Sequence, residues 1–462
     1  MKIILTLFTL LTTFLALAFF FPVSIGSSRY VDFTSPSITI EQRGGELSLK
    51  VSDDLNAIVS VRYLVQQSGE TQIEGEILHE ASPLMNTHEL SLDLGTLQGS
   101  LAEGAAEVIV TAQDAAIWGN VFRITAPITL DFSAPSIEVL SQQHRIFAGG
   151  AELVLFQAAD NMSLKEVWLS AYQDKIFAPF KLIDAYPELD LPERLYGVLF
   201  ATPRGLAREK FQPTLHATDN FGNSTERVLS LRFEEQAYRR TSPKLSSSFL
   251  SRKIPPLVKE MKQDGYLAAQ TPLSDLDGFK VVNEQYREKL VGEISTAMEK
   301  AGIRADIPTQ HFQRPMAGTL TSRFGEFRTY LFEGKSISTS FHDGQDIASV
   351  VADNVRATAA GNVLLAEQLG IYGNTILIDH GAGITSLYGH LSSFAVQAGE
   401  TVNQGDLIGQ SGTTGLAGGD HLHFEIRIQG VPVTPIEWWD PKWFQDNIEQ
   451  KLTKLLEPYT SG

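Results

Sequence analysis

The chain has 462 residues, no cysteine and a formal net charge of −17. Its length suggests about three domains, and 43% hydrophobic residues are enough for real cores. The acidic balance, with no basic block, argues against nucleic acid and against binding anionic surfaces by charge. Zero cysteines exclude disulfides, a thiolate metal site and a lipidated cysteine, and are compatible with an oxidising compartment.

After Lys2, residues Ile3 to Ile25 carry no charge and are dominated by Leu, Ile, Phe and Ala. About 20 apolar residues span a bilayer, whereas a secretory apolar region is usually shorter, roughly 7–15 residues. Residues 1–28 therefore read as an uncleaved signal anchor with a single transmembrane helix. The rival is a signal peptide cut after Ala18 or near Gly26. Either way the bulk is expected outside the cytoplasm. Lys2 against Arg29 gives only a weak positive-inside signal.

Residues 29–130 and 131–237 contain an internal repeat of about one hundred residues. Asp32-Phe33-Thr34-Ser35-Pro36-Ser37-Ile38 recurs as Asp131-Phe132-Ser133-Ala134-Pro135-Ser136-Ile137. Ser52-Asp53-Asp54 recurs as Ala159-Asp160-Asn161, and Ala112-Gln113-Asp114 as Ala217-Thr218-Asp219. Short β-prone runs such as Val59–Tyr63 and Glu107–Val110 alternate with Asp/Asn/Gly turns. That pattern predicts two β-sandwiches of about seven strands each, similar to bacterial immunoglobulin-like modules. They read as spacers, with a wall or protein partner as the alternative. Asp53, Asp54 and Asp160 could suggest calcium, but turn formation explains them better.

Residues 238–310 form a linker. Ser242–Arg252 is rich in Ser, Lys and Arg and reads as a hinge. Val282–Ala301 reads as an amphipathic helix, with Tyr286, Leu290, Ile294 and Met298 every four residues and Gly302 placed to stop it.

Five of the ten histidines fall between His342 and His423. His342 and Asp346, four apart, share a face whether the segment is helical or extended. His421 to Ile428 alternates strictly, so one face carries His421, His423, Glu425 and Arg427 and the other Leu422, Phe424, Ile426 and Ile428. Zinc takes imidazole nitrogen and carboxylate oxygen, and a catalytic site keeps a fourth position for water. His342, Asp346 and one of His421 and His423 supply three ligands, leaving two histidines for acid–base work near neutrality. His380, at the end of the apolar strand Ile376–Ile378, reads as structural. Tyr388, two before His390, would share its face on a strand.

From about Gly318 to Pro435 the sequence resembles the lysostaphin-like, LytM-type zinc endopeptidases that cut peptidoglycan cross-bridges. The residues that carry this are Ser322-Arg323-Phe324-Gly325, His342-Asp343-Gly344-Gln345-Asp346, Tyr372-Gly373-Asn374, Tyr388-Gly389-His390-Leu391, Gly412-Thr413-Thr414-Gly415 and His421-Leu422-His423-Phe424. The resemblance implies an antiparallel β peptidase domain at 311–437. It implies Zn2+ held by His342, Asp346 and His423, with His390 and His421 as the catalytic pair beside a zinc-bound water. Gln345 stands where many members have a hydrophobic residue, and should point away from the metal. Residues 438–462 form a helical tail: Asp440-Pro441 gives a cap and first-turn proline, a helix follows to about Leu456, and Trp438, Trp439 and Trp443 clamp it.

The expected chain is mainly β and multidomain. Its expected function is an exported zinc metalloendopeptidase acting on peptidoglycan peptide. Alternatives are a non-catalytic regulator of wall amidases, against which the intact five-residue set argues, and a zinc D,D-carboxypeptidase. Glycyl and D-alanyl–diaminopimelate bridges both remain open as the bond cut, with the second favoured.

Overall fold

A computed structural model describes residues 34–68, 70–78, 86–143 and 145–460, together with a paired Val23–Ser24 and Tyr30–Val31. Apart from Val23–Ser24, the apolar run Ile3–Ile25 and its cleavage alternatives lie outside the described residues, as do Asp32 and Phe33 of the repeat. No helix among the described residues is long and apolar enough to cross a membrane. The chain divides into two compact units. One comprises residues 1–135 with the turns 160–166 and 218–225, and the other the remainder.

The first unit places two antiparallel sheets over one core. Ser37–Arg43, Glu46–Ser52 and Thr87–Asp93 form the first sheet; Glu70–Leu78, Ile58–Gln67, Gly104–Asp114 and Val121–Leu130 form the second. Strand Glu46–Ser52 shows why: Leu47, Leu49 and Val51 alternate inward while Glu46, Ser48 and Lys50 face out. They meet Val61, Val65, Val108, Val110 and Ala112 of the opposite sheet, as a period of two dictates. The β-prone runs Val59–Tyr63 and Glu107–Val110 fall inside these strands.

The second unit is again mainly β. Its largest sheet has eight strands. Thr319–Ser322, Gln345–Ala348, Leu422–Ile428, Ile384–Leu391, Gly373–Asp379, Gly361–Leu369 and Thr401–Val402 follow in order, and Val431–Val433 pairs with Leu422–Ile428. The two central strands, Leu422–Ile428 and Ile384–Leu391, are buried along their whole length. On one face, Leu377 and Leu387 pack against Leu257, Met261, Leu290 and Ile294 of the helices Ser247–Gln263 and Arg287–Ala301. On the other, Phe424 stacks on Trp439 at 5.5 Å and Phe312 meets Trp438 at 5.1 Å.

The amphipathic segment behaves as its spacing predicts. Tyr286, Leu290, Ile294 and Met298 are all buried, and Gly302 ends the helix at φ 71°. Its first turn, Val282–Tyr286, is wider than an α-turn, and there Asn283 donates to Ser338 Oγ at 2.8 Å. Ser242–Arg252 is no free hinge: Lys244 bridges Leu331, Ser246 caps a helix and Leu250 is buried in it. Near the C-terminus, Asp440 caps Lys442 N at 2.9 Å, and helical turns run from Pro441 to Thr460.

Candidate metal and catalytic site

His342 follows the strand Lys335–Phe341, and its backbone N–H donates to Glu326 O at 3.0 Å. Asp346 lies on Gln345–Ala348, directly opposite His423 on Leu422–Ile428. His342 and Asp346 therefore meet across a turn rather than along one extended face. Gly344 lets this segment approach the strand Leu422–Ile428 closely: a Cβ there would sit 2.3 Å from the carbonyl oxygen of Phe424. Gln345 pairs with Phe424 and points to the opposite face from Asp346.

Three ligand-type atoms converge. His342 Nε2 is 2.9 Å from Asp346 Oδ1 and 3.0 Å from His423 Nδ1, and His423 Nδ1 is 3.0 Å from Asp346 Oδ1. The hydrogen bonds on the far sides define what these atoms are. His342 Nδ1 donates to the carbonyl oxygen of Arg323 at 3.0 Å, and His423 Nε2 donates to the Glu425 carboxylate at 2.8 Å. A carbonyl or carboxylate only accepts, so each ring's proton is outside and its lone pair inside. Asp346 Oδ2 is likewise engaged, by Arg328 at 3.0 Å. Three acceptors facing one another this closely require a proton or a metal cation among them.

The electrostatics express the same demand. Burial lowers the His423 pKa, but hydrogen bonds and charges from Asp346 and Glu425 outweigh it and raise it to about 9. Burial holds His342 below the ordinary value. Asp346 is held well below the carboxylate range: burial opposes this, and the His342 and His423 partners prevail. Two nitrogens and one oxygen, with no sulfur, suit zinc. Zinc–ligand bonds of ~2.0–2.1 Å in a tetrahedron separate ligand atoms by ~3.3 Å, a few tenths of an ångström more than the spacings here. The residues fit the ion.

His390 and His421 complete the centre. Their rings lie 4.8 Å apart, and His390 is 5.8 Å from the His423 ring. His421 Nε2 is 3.7 Å from Asp346 Oδ1. Each again sends its Nδ1 proton outward, to Thr414 O at 2.9 Å and Gly419 O at 2.8 Å. Burial first, then His421 and His423, push the His390 pKa well below its usual value. His390 sits at φ +64°, a conformation that interrupts strand alternation. Up to that point the ladder is regular, with Gly389 opposite His423 and Tyr388 opposite Phe424. Tyr388 therefore faces away from the site, contrary to the shared face expected. Its hydroxyl accepts from Thr358 N at 2.8 Å and Ser386 Oγ at 3.1 Å. His380 is structural, bonded to Ala360 O and Ser386 Oγ, both at 2.7 Å.

The site opens on a groove of about 720 Å³ walled by Ser242–Ser246, Phe249, Arg252, Phe279 and Arg287, with Tyr372 beside His423. Sequence reasoning missed three supports. Arg328, tied to Glu326 at 3.3 Å and to Asp346, has no motif spacing. Glu425 and Arg427 form a fully buried pair at 2.7 Å behind His423, and the alternating strand already placed both on the histidine face. The carbonyls of Arg323 and Thr414 carry no side-chain signal at all.

Residues 340–435 match Peptidase family M23, and this segment is an M23 domain of the LytM type. The DD-carboxypeptidase/endopeptidase Mpg of Neisseria meningitidis serogroup B is 44% identical over 95 residues, 21% of this chain and 22% of the relative. The peptidoglycan DD-endopeptidase ShyA of Vibrio cholerae is 35% identical over 96 residues, again 21% and 22%. The murein hydrolase activator EnvC of Escherichia coli is 35% identical over 124 residues, 27% and 28%. The matched segment thus spans less than a third of each relative's length.

Proposed function

We propose that this chain is an exported zinc metalloendopeptidase that hydrolyses peptide cross-links of peptidoglycan. The observation that carries the reading is the convergence of His342 Nε2, Asp346 Oδ1 and His423 Nδ1 within 3.0 Å, flanked by His390 and His421. Bound by those three residues, zinc would supply Lewis acidity and bring the pKa of water to roughly 7. His390, neutral by burial and with its Nε2 lone pair inward, accepts a proton from the attacking water. His421 also presents an inward Nε2 lone pair, so whichever of the two rings takes the water proton can return it from that same Nε2 to the leaving amine. Arg328 and Glu425 hold Asp346 and His423 in place.

The apolar run Ile3–Ile25 would anchor the chain in the cytoplasmic membrane, with residues 29–462 outside and the two sandwiches, read as immunoglobulin-like, spacing the groove toward the wall. Fractionation and N-terminal sequencing of the mature chain test this; a soluble product beginning near Phe19 or Ser27 would remove the anchor. For the activity, a digest of purified peptidoglycan followed by mass spectrometry identifies the bond cut. Conversion of cross-linked dimers to monomers is the expected result. Release of terminal D-alanine alone would favour the carboxypeptidase reading, and wall binding without products the regulator.

A further inference from the structure

The repeat aspartates do more than shape turns. Within the first unit, one carboxylate oxygen from each of Asp131, Asp160 and Asp219 lies within 4.8 Å of the other two. Turn formation accounts for part of this. Asp160 Oδ2 accepts from Met162 N at 2.7 Å and Ser163 N at 2.9 Å. Asp219 Oδ1 accepts from Phe221 N and Asn223 N at 2.8 and 2.9 Å, and its Oδ2 from Asn223 Nδ2 at 2.8 Å. Asp53 and Asp114 make the same kinds of bond in the first repeat, to Leu55 N and Asn56 N and to Ala116 N and Asn120 N.

Two oxygens are left over. Asp131 is 4% exposed and Asp219 fully buried, yet Asp131 Oδ2 is buried without any hydrogen-bond partner, and so is Asp160 Oδ1. Asp131 is not a turn residue held in place by donors on both oxygens: only its Oδ1 accepts, from Ser133 N at 3.2 Å and Asn161 Nδ2 at 3.5 Å. Burial first, and then the charges of Asp160 and Asp219, raise the Asp131 pKa. Buried carboxylate oxygens without donors, crowded by like charges, are costly, and a cation removes the cost.

We propose that Asp131, Asp160 and Asp219 form a calcium site. The donors are all oxygen, which selects a hard cation over zinc. Calcium takes oxygen ligands at ~2.3–2.6 Å in a flexible geometry, so three carboxylate oxygens within 4.8 Å of one another can share it, whereas magnesium demands ~2.0–2.1 Å and a stricter octahedron. Glu103 lies nearby, accepting from Phe132 N at 3.0 Å and from Asn161 Nδ2 at 3.4 Å, the same amide that donates to Asp131 Oδ1. The ion would tie together three separate segments of the unit. This inference is independent of the peptidase reading.

The test is calorimetric titration of CaCl2 into the full-length, zinc-loaded protein in calcium-free buffer, with thermal melting in parallel. One equivalent binds, and the melting midpoint rises. Asp131→Asn, which keeps the acceptor for Ser133 N, weakens binding at least about tenfold by removing one ligand charge; Asp160→Asn does the same. In calcium-free buffer Asp131→Asn melts at or above wild type, because a buried repulsion is gone. With calcium it melts below wild type. That reversal of sign belongs to a cation site and to no purely structural role. Absence of binding at concentrations tenfold above ~1 mM, the weak end for such modules, would overturn the proposal. So would binding that survives both asparagine variants, or binding lost in His423→Ala and kept in Asp131→Asn.

Discussion

The histidine centre and the Asp131 cluster are both places where acceptors converge, and they are built in opposite ways. At the histidine centre the outward-facing atom of each ring has its own partner: Arg323 O, Glu425, Thr414 O and Gly419 O. The tautomers are set from outside, so nitrogen lone pairs face in. At the Asp131 cluster the backbone turns take one oxygen of Asp160, and further oxygens of Asp131 and Asp160 are left without a donor. The difference teaches that burial alone does not choose a cation. The atom type left inward does, and mixed nitrogen and oxygen favour zinc where oxygen alone favours calcium.

The largest effect expected at the histidine centre is in His423→Ala. It removes an inward nitrogen, and elemental analysis should find near-complete loss of zinc with turnover at background. Full zinc occupancy in that variant would show that the converging triad is not the ligand set. Next come His390→Ala and His421→Ala. Both keep zinc and lose turnover of cross-linked muropeptide by ~10²–10⁴, the usual contribution of acid–base groups; metal loss in a folded variant would move that histidine into the ligand set.

Glu425→Gln sharpens the role of the outer partners. It should weaken zinc binding by ~10–100-fold in competition with a chelator. It also strands Arg427, which is fully buried, so melting should report a loss of ~3–5 kcal/mol. An unchanged zinc affinity would mean that His423 holds its tautomer without Glu425. The smallest effect is in Tyr388→Phe. Removing the acceptor for Thr358 N costs ~1–3 kcal/mol of stability, and the rate per bound zinc stays at the wild-type value. A rate collapse would place that hydroxyl at the reacting centre.

Much of this was legible in the sequence, for definite reasons. Side chains along a strand must point alternately to its two faces, so H-L-H-F-E-I-R-I shows those faces directly. A helix on a sheet must repeat its apolar residues, so Tyr286, Leu290, Ile294 and Met298 declare the docking face. Other features have no periodic signature. The left-handed backbone at His390 broke the alternation that would have put Tyr388 in the site. Arg328 reaches Asp346 from 18 residues upstream only because Phe327–Phe332 pairs with Lys335–Phe341. Asp160 reads as a turn residue because it is one; that its carboxylate lies beside those of Asp131 and Asp219 depends on segments distant in sequence.

The most direct test of the central claim is paired zinc content and turnover on one preparation series: wild type, His423→Ala and His390→Ala, each assayed on cross-linked muropeptide dimers by mass spectrometry. The account predicts one zinc and dimer cleavage in wild type, neither in His423→Ala, and zinc without cleavage in His390→Ala. A zinc-loaded wild type that leaves the dimers intact, or a His390→Ala protein that cleaves them at the wild-type rate, would contradict it.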